Sequence, residues 1–512
     1  MATDDFVRTR LQTMIDLRHP LAVLSARLPW AAIEAALAAK FGHEDRPPKS
    51  AAVDDLFGAT SLEFGGGISR AGRPRLPIRL MAGLLYLKNS FNLSDEDLVQ
   101  RWAENVYWQH FCGMEYFEPR LPCDATQIGR FRRAIGEEGL ELLLKATIET
   151  AVDSRVIKPQ ELERVIVDST VQEKAIAHPT DSRLLDIARR KVVGVAKRLG
   201  LKLKQTFEHE GAELRRRAGG YAHAKQFRRL RKVLRRQRTV LGIVIREVRR
   251  KLAERLQPGA HNTEPPSALT LVAINTWLPR AERIRVQQPK SKNKLYALHA
   301  PEVECISKGK ARKPYEFGVK VGIAVTHNSG LMVGARSFPG NPYDGHTLAA
   351  QLEQVRNLYQ DLGVEPKTAV VDLGYRGVDA DNPGVEVIHR GKFKSLTAMQ
   401  RRWLKRRQAI EPAIGHAKAD HRMDRCWLQG AQGDALHALS CALGYNIRWL
   451  MRALLAKALK ALACLLQMVV AGSKQGLSAM CEHLWQLLPL LRDNLRASPS
   501  LGWPRRWSLL GC

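Results

Sequence analysis

The sequence predicts an α/β protein with an N-terminal helical domain and a large basic helical insertion. Three observations carry that prediction. Apolar runs of strand length recur at 165–171, 315–326, 331–338, 368–373 and 385–389, separated by segments with helical apolar spacing. Residues 76–146 carry helix signals only. Residues 189–255 hold 23 Lys and Arg against five Glu and no Asp, a net +18 in a chain whose total is +30.

Each element has a local reason. Residues 1–75 offer one helix near 29–41 and a polar, proline-containing stretch at 43–50. An apolar helix follows at 76–89. Ser94 with Asp97 reads as a capping box opening a helix over 95–105, and Asp124 with Gln127 as another opening 125–135. Helices in series, the last bearing Arg130, Arg132 and Arg133, suit either a helix-turn-helix reader of DNA or a helical packing module. Thr180 or Asp181 caps a helix from 182. A mostly helical stretch runs to about residue 256, with Phe227, Leu230, Val233, Leu234, Val240, Leu241 and Val244 at helical spacing. Its basic face carries Arg228, Arg229, Arg231, Lys232, Arg235 and Arg236, a density that favours phosphate contact over a merely solvated hairpin. Pro258, Pro265 and Pro266 mark a linker at 257–267. The runs at 315–326 and 331–338 flank a turn and form a hairpin. Then come a helix at 346–359, two short strands, a basic helix or helix pair at 396–420, and a long apolar-striped helix at 434–463.

The division into domains is therefore 1–75, of unclear structure; 76–150, helical and a candidate DNA-end-binding domain; 160–175 with 290–455, the α/β core; 176–289, the basic helical insertion; and 456–512, a variable helical tail. Lys and Arg number 81 against 51 Asp and Glu, an excess that implies a polyanionic partner, most simply nucleic acid. The acidic start has no secretory signal. The most apolar segment, 449–471, contains Arg452, Lys457 and Lys460, each costly at a bilayer centre, so it reads as a buried or partner-facing helix and no membrane role is expected. Eight scattered cysteines without a C-x-x-C pair indicate reduced thiols in a cytoplasm, not a zinc or disulfide framework.

Three blocks carry the chemistry: V-I-V-D-S-T at 165–170, V-V-D-L-G-Y-R-G at 370–377, and R-x-x-I-E-P-x-I-G-H-x-K at 407–418. They supply Asp168 and Asp372 at strand ends and Glu411 on a basic helix. Phosphodiester cleavage needs charge neutralisation and in-line positioning more than covalent chemistry. Two divalent cations about 3.5–4 Å apart provide both, and Mg²⁺ takes one or two carboxylates plus waters and phosphate oxygens. Three carboxylates suffice, with Asp168 bridging both ions from a rigid strand, Asp372 on one ion and Glu411 on the other. On a continuous helix Glu411 lies about 40° round from Arg407 and Lys418 about 20° round from Glu411, so all three share a face. Pro412 interrupts that geometry: Glu411 then sits at a bend or at the start of a new helix.

These blocks and the segments between them resemble the DDE transposases of bacterial insertion sequences, in the insertion-sequence-five group. The similar segments include V-D-S-T-V-Q-E-K-A-I-A-H-P-T-D-S-R-L-L (167–185), Y-E-F-G-V-K (315–320), F-P-G-N-P-Y-D-G-H-T-L (338–348), V-D-L-G-Y-R-G, I-E-P-A-I-G-H-A-K-A-D-H-R-M-D-R-C-W-L-Q-G (410–430) and G-D-A-L-H-A-L-S-C-A-L-G-Y-N-I-R (433–448). Residues 76–146 are similar to the family's N-terminal helical domain, and the likeness covers roughly 70 to 455. The resemblance implies a ribonuclease H-like mixed sheet flanked by helices, two Mg²⁺ or Mn²⁺ ions, and Asp168, Asp372 and Glu411 as catalytic metal ligands. It implies double-stranded DNA partners (terminal inverted repeats and target DNA), a homodimer or higher multimer on DNA, and a nucleoid-associated place in the cytoplasm. Arg407 and Lys418 match the arginine and lysine of the signature Y-x2-R-x3-E-x6-K and are assigned to DNA; Leu404 stands where its tyrosine would be. The implied activity is cleavage at insertion-sequence ends and strand transfer. The alternatives are a structure-specific nuclease of the same core and a catalytically silent DNA-binding regulator. His178 and Asp181 are not expected to bind metal, nor Asp344 and His346 to take a direct catalytic part; His416 and His421 either touch DNA or lie free at the surface, and Trp427 reads as a core indole rather than a ring stacked on a flipped base at an element end.

Overall fold

The computed structural model describes residues 9–41, 76–255, 268–289, 291–307 and 313–472. The expectations for 43–50, for the linker at 257–267 and for the tail beyond 472 fall outside these residues.

Val165, Ile166 and Val167 are fully buried, which is what a strand covered on both faces requires. They open β1 (Arg164–Glu173), the centre of a mixed sheet. The other strands are β2 (Glu304–Ser307), β3 (Tyr315–Thr326), β4 (Met332–Phe338), β5 (Thr368–Val370) and β6 (Glu386–Ile388). Their order is β2-β3-β1-β5-β6, with β4 also paired to β3. β3 runs antiparallel to β1 and β4, whereas β5 and β6 run parallel to β1. The hairpin and both short parallel strands lie where the sequence expects them. β2 was not anticipated: four residues of mixed polarity give no periodic signal.

Among the described residues, seven α-helices precede the sheet: α1 (Leu11–Met14), α2 (Pro20–Arg27), α3 (Trp30–Ala38), α4 (Ile78–Ser90), α5 (Asp95–Glu104), α6 (Val106–Phe111) and α7 (Ala125–Asp153). Ser94 caps α5 by accepting from the Asp97 amide, and Asp124 with Gln127 forms the full capping box of α7. α7 does not stop near 135. Gly136, at φ 66°, turns the chain without ending it, and a second helical run continues to Asp153. Leu24, Tyr86, Trp102 and Leu143 from these helices share one apolar core with Val165 and Ile323 of the sheet and Leu443 of the last helix. No single described helix is long and apolar enough to cross a membrane. The bent pair Pro20–Arg27 and Trp30–Phe41 passes by length and composition, but its Leu21, Leu24, Ile33 and Leu37 are buried in that core.

Between β1 and β2 lie α8 (Asp181–Arg198), α9 (Glu208–His223), α10 (Phe227–Arg255) and α11 (Ala268–Val286). Thr180 is the N-cap of α8, its side chain accepting from the Arg183 amide. This insertion has its own core, including Leu185, Val192, Leu241, Val244, Ile245, Leu278 and Ile284. Its two stems meet at one place on the sheet: Glu173 and Glu304 both stand in register with Gly318 of β3. A Cβ on Gly318 would fall 1.8 Å from the Gln172 carbonyl oxygen, so only glycine allows that approach. Just beyond, buried Lys174 bonds Asp434 at 2.5 Å and Glu302 at 3.0 Å, which ties both stems to the last helix.

The remaining helices are α12 (Leu348–Tyr359), α13 (Ala398–Arg406), α14 (Ile410–Asp420) and α15 (Gly430–Gly472). The basic segment is thus a helix pair, joined by a 3-10 turn at Arg407–Ala409. α15 is buried through Leu450 and Leu454, while Leu459 and Leu465 further on are exposed. The apolar segment is therefore only partly interior.

His421, after α14, is bonded through Nδ1 to the Asn89 carbonyl of α4, and His437 of α15 through Nε2 to the Arg422 carbonyl. Burial, chiefly, drives their pKa values from 6.5 down to about 4 and about 3. The unfolded chain takes up these protons below pH 6.5 and the folded chain does not. Stability should hold above pH 6.5 and fall as pH drops toward 4, by about 1.4 kcal/mol per pH unit for each histidine. Urea unfolding between pH 7.5 and 4.5 should show this slope, reduced by one proton in His437→Gln; a flat profile would contradict the burial.

Candidate active site

β1 and β5 pair in parallel with Ile166 beside Val370. Asp168 and Asp372 each follow two residues later, so the register places both acids at the same end of neighbouring strands. α14 packs its buried face, Ile410, Ala413 and Ala417, toward the core. Pro412 falls in the first turn of α14, where its missing N–H costs nothing. Glu411 therefore starts a new helix, and the single-helix face argument does not apply across the 3-10 turn that holds Arg407.

The acids meet all the same. Arg407 Nη1 lies 3.1 Å from Asp168 Oδ2; its Nη2 lies 3.8 Å from Glu411 Oε1 and 4.0 Å from Asp372 Oδ1. Three carboxylates surround one guanidinium whose side chain is 18% exposed, while Asp168, Asp372 and Glu411 are 21%, 54% and 66% exposed. One cation against three anions leaves an excess of negative charge. The Tyr375 phenol registers it: burial first, then Asp344, Asp168 and Asp372, push its pKa well up.

An all-oxygen, fully anionic donor set suits Mg²⁺ or Mn²⁺. Among the described residues, no three His, Cys, Asp or Glu groups stand close enough to hold an ion as placed. The guanidinium occupies the centre of the set. The residues fit a divalent cation in chemistry, while Arg407 stands between them as they are placed.

Other candidates are distributed differently. Lys418 pairs with buried Glu316 of β3 at 3.5 Å, away from the acids. Leu404 packs on the main core. His178 packs edge-on against Phe317, His346 against Tyr343, and His416 bonds Asp420 at 2.7 Å. His421 is buried, not at the surface, because the Asn89 carbonyl gives its ring N–H an interior partner. Trp427 is 70% exposed, so it is not a core indole: the segment between α14 and α15 turns Met423 and Cys426 inward and leaves the Trp427 ring outside.

Arg228, Arg229, Arg231, Lys232, Arg235 and Arg236 are all exposed along α10. Arg236 makes a paired contact with Glu210, and Arg229 bonds Gln226. One turn on, Arg235, Arg238, Arg246 and Arg285 line a cavity of about 240 Å³ together with Thr239 and Gly242. Sequence reading missed the last three arginines, because the fold, not the spacing, brings Arg285 of α11 to α10. Arg130 and Arg133 are exposed, but Arg132 is only 5% exposed and bonds Asp95 at 3.0 Å. Its assignment to DNA is corrected: the guanidinium is spent inside the helical bundle.

Residues 50–134 match the family model described as Transposase domain (DUF772), and residues 282–382 match Transposase DDE domain. The second match includes Asp344 and Asp372. An uncharacterized protein, ORF8 in the nfe locus of Rhizobium meliloti, is 42% identical over 224 residues, which span 44% of this chain and 95% of that protein. No solved structure matches.

Two sets of variants separate the basic candidates. Changing the six α10 residues to Gln should flatten the salt dependence of duplex binding, each lost phosphate contact lowering the slope of log K against log salt by about 0.9. Arg132→Gln should lower the melting temperature and leave that slope as it is. Fluorescence anisotropy across a salt series, beside thermal unfolding, checks both.

Proposed function

The chain belongs to the DDE transposases of insertion sequences, and from that premise we propose that it cleaves DNA at insertion-sequence ends and joins those ends to target DNA, with divalent cations. One observation carries the reading: Asp168, Asp372 and Glu411, from three distant segments, converge on a single cationic group. A ribonuclease H-like core is part of the proposal. The sheet order supports it, with an antiparallel hairpin on one side of β1 and two parallel strands on the other.

Asp168, Asp372 and Glu411 would hold two Mg²⁺ or Mn²⁺ ions, Asp168 being the most firmly placed of the three because it lies on the long central strand. Bound there, such ions would supply activation of an attacking water or DNA 3′-hydroxyl oxygen and charge neutralisation at the leaving one. The chain's own residues do the rest. Arg407 leaves the acids and binds a phosphate oxygen beside them, trading one anionic partner for another. Lys418 contacts the backbone further along α14. The exposed face of α10, the arginine-lined cavity beside it, and Arg130 with Arg133 hold the duplex. In this reading the chain acts as a homodimer or higher multimer, one copy for each element end, in the nucleoid.

The test is cleavage and joining of duplexes carrying the element's terminal repeats. Asp168→Asn, Asp372→Asn and Glu411→Gln should each lose activity by about a hundredfold to a thousandfold while binding DNA normally. Undiminished cleavage in any of them would sink the proposal, and cutting without joining would instead indicate a nuclease. Arg407→Gln should bind Mn²⁺ several-fold more tightly than the wild type in the absence of DNA, because no guanidinium has to be displaced. Weaker binding would contradict the central placement of Arg407.

A further inference from the structure

We infer that Asp344 is a positioning residue that sets the spacing between the Asp168 and Asp372 carboxylates. The inference rests on reading those acids as a cation-binding pair.

Asp344 opens a 3-10 turn, Asp344–Thr347, that leads into α12. Its Oδ1 accepts from Ser169 Oγ at 2.9 Å and from Lys320 Nζ at 2.9 Å. Ser169 is the neighbour of Asp168 on β1, and Lys320 belongs to β3. Lys320 also donates to the Pro342 carbonyl at 2.6 Å, so one ammonium gathers both the loop and the carboxylate. On the other side Asp344 meets the turn that follows Asp372: a Cβ on Gly374 would fall 3.0 Å from Asp344 Oδ2 and 3.4 Å from its Cβ. Asp344 thus touches the residue after one catalytic candidate and the turn after the other.

The need for such a brace follows from the strands. Asp168 lies within a ten-residue strand and stands in register with Ile323 of the long strand β3. Asp372 follows a strand of only three residues and is 54% exposed. Little in β5 itself fixes where Asp372 points. The packing of its turn, Leu373–Tyr375, on Asp344 does. Oδ1 of Asp344 is taken by a hydroxyl and an ammonium, so its role is mechanical rather than that of a further ligand. Partners of this kind orient ligating carboxylates, and a displacement of about 1 Å in a ligand is enough to weaken a site.

The experiment titrates the full chain with Mn²⁺ in the absence of DNA, reading free Mn²⁺ by electron paramagnetic resonance. Melting temperature and duplex binding in EDTA are measured alongside. Asp344→Asn and Asp344→Ala should weaken Mn²⁺ binding about 10-fold to 100-fold, with duplex binding in EDTA as in the wild type. Ser169→Ala should weaken Mn²⁺ binding in the same direction, and Ser169→Thr, which keeps the hydroxyl, should restore it. Mn²⁺ affinity equal to wild type in the Asp344 variants overturns the inference. So does an equal effect of Ser169→Ala and Ser169→Thr, which also decides the matter should the Asp344 variants fail to fold. Asp168→Asn is the reference. If it loses Mn²⁺ while the Asp344 variants do not, only the brace is wrong; if it binds as the wild type does, the acid pair itself is misread and the brace falls with it.

Discussion

Three carboxylates, one of them more than two hundred residues before the other two, are held around one guanidinium, and the site depends on that balance of charge. Like charges gathered at one end of a sheet repel, and burial strengthens the repulsion. Arg407 offsets it. The arrangement gathers three acids against one guanidinium on a chain of net +30. A DNA phosphate brought to those acids is repelled unless cations accompany it. On the proposed reading, gripping and cutting are therefore separated in space: positive helices hold the polymer, and a negative cleft works on it only when hard cations are present.

The parts legible in the sequence are those set by neighbours along the chain. The Ser94 and Asp124 caps, the β3–β4 hairpin and the burial of Val165 to Val167 needed no tertiary knowledge. The acids were legible through their blocks. Their common partner was not: a helical wheel relates Arg407 to Glu411 but says nothing of Asp168, 239 residues away. Arg132 failed for the same reason. Between Arg130 and Arg133 it looks solvated, yet Asp95, 37 residues earlier, draws it inside. Trp427 and His421 fail in opposite directions, the apolar ring being exposed and the polar one buried, because each depends on what the fold sets beside it. Pro412 left two geometries open, and the choice between them needed the 3-10 turn that precedes α14.

The N-terminal helices and the sheet share a single apolar core. The α4 backbone accepts from His421, just past the helix that bears Glu411, and Asn92 donates to Ala419 of that helix. Helix-to-strand packing of this kind ties the position of Glu411 to the bundle as well as to the sheet. The insertion, by contrast, has a core of its own. Its charge can be changed along α10 without touching any residue that supports the acids.

That independence has an evolutionary side. The insertion leaves from β1 and returns to β2, which lie on opposite edges of β3 at Gly318. Two strand spacings, about 10 Å, separate its ends. A short loop spans such a gap, so the whole helical unit behaves as a cassette: a lineage could acquire, enlarge or discard it without rethreading the sheet. Grip on the nucleic acid would then diversify at a pace of its own while the cutting centre stayed as it was.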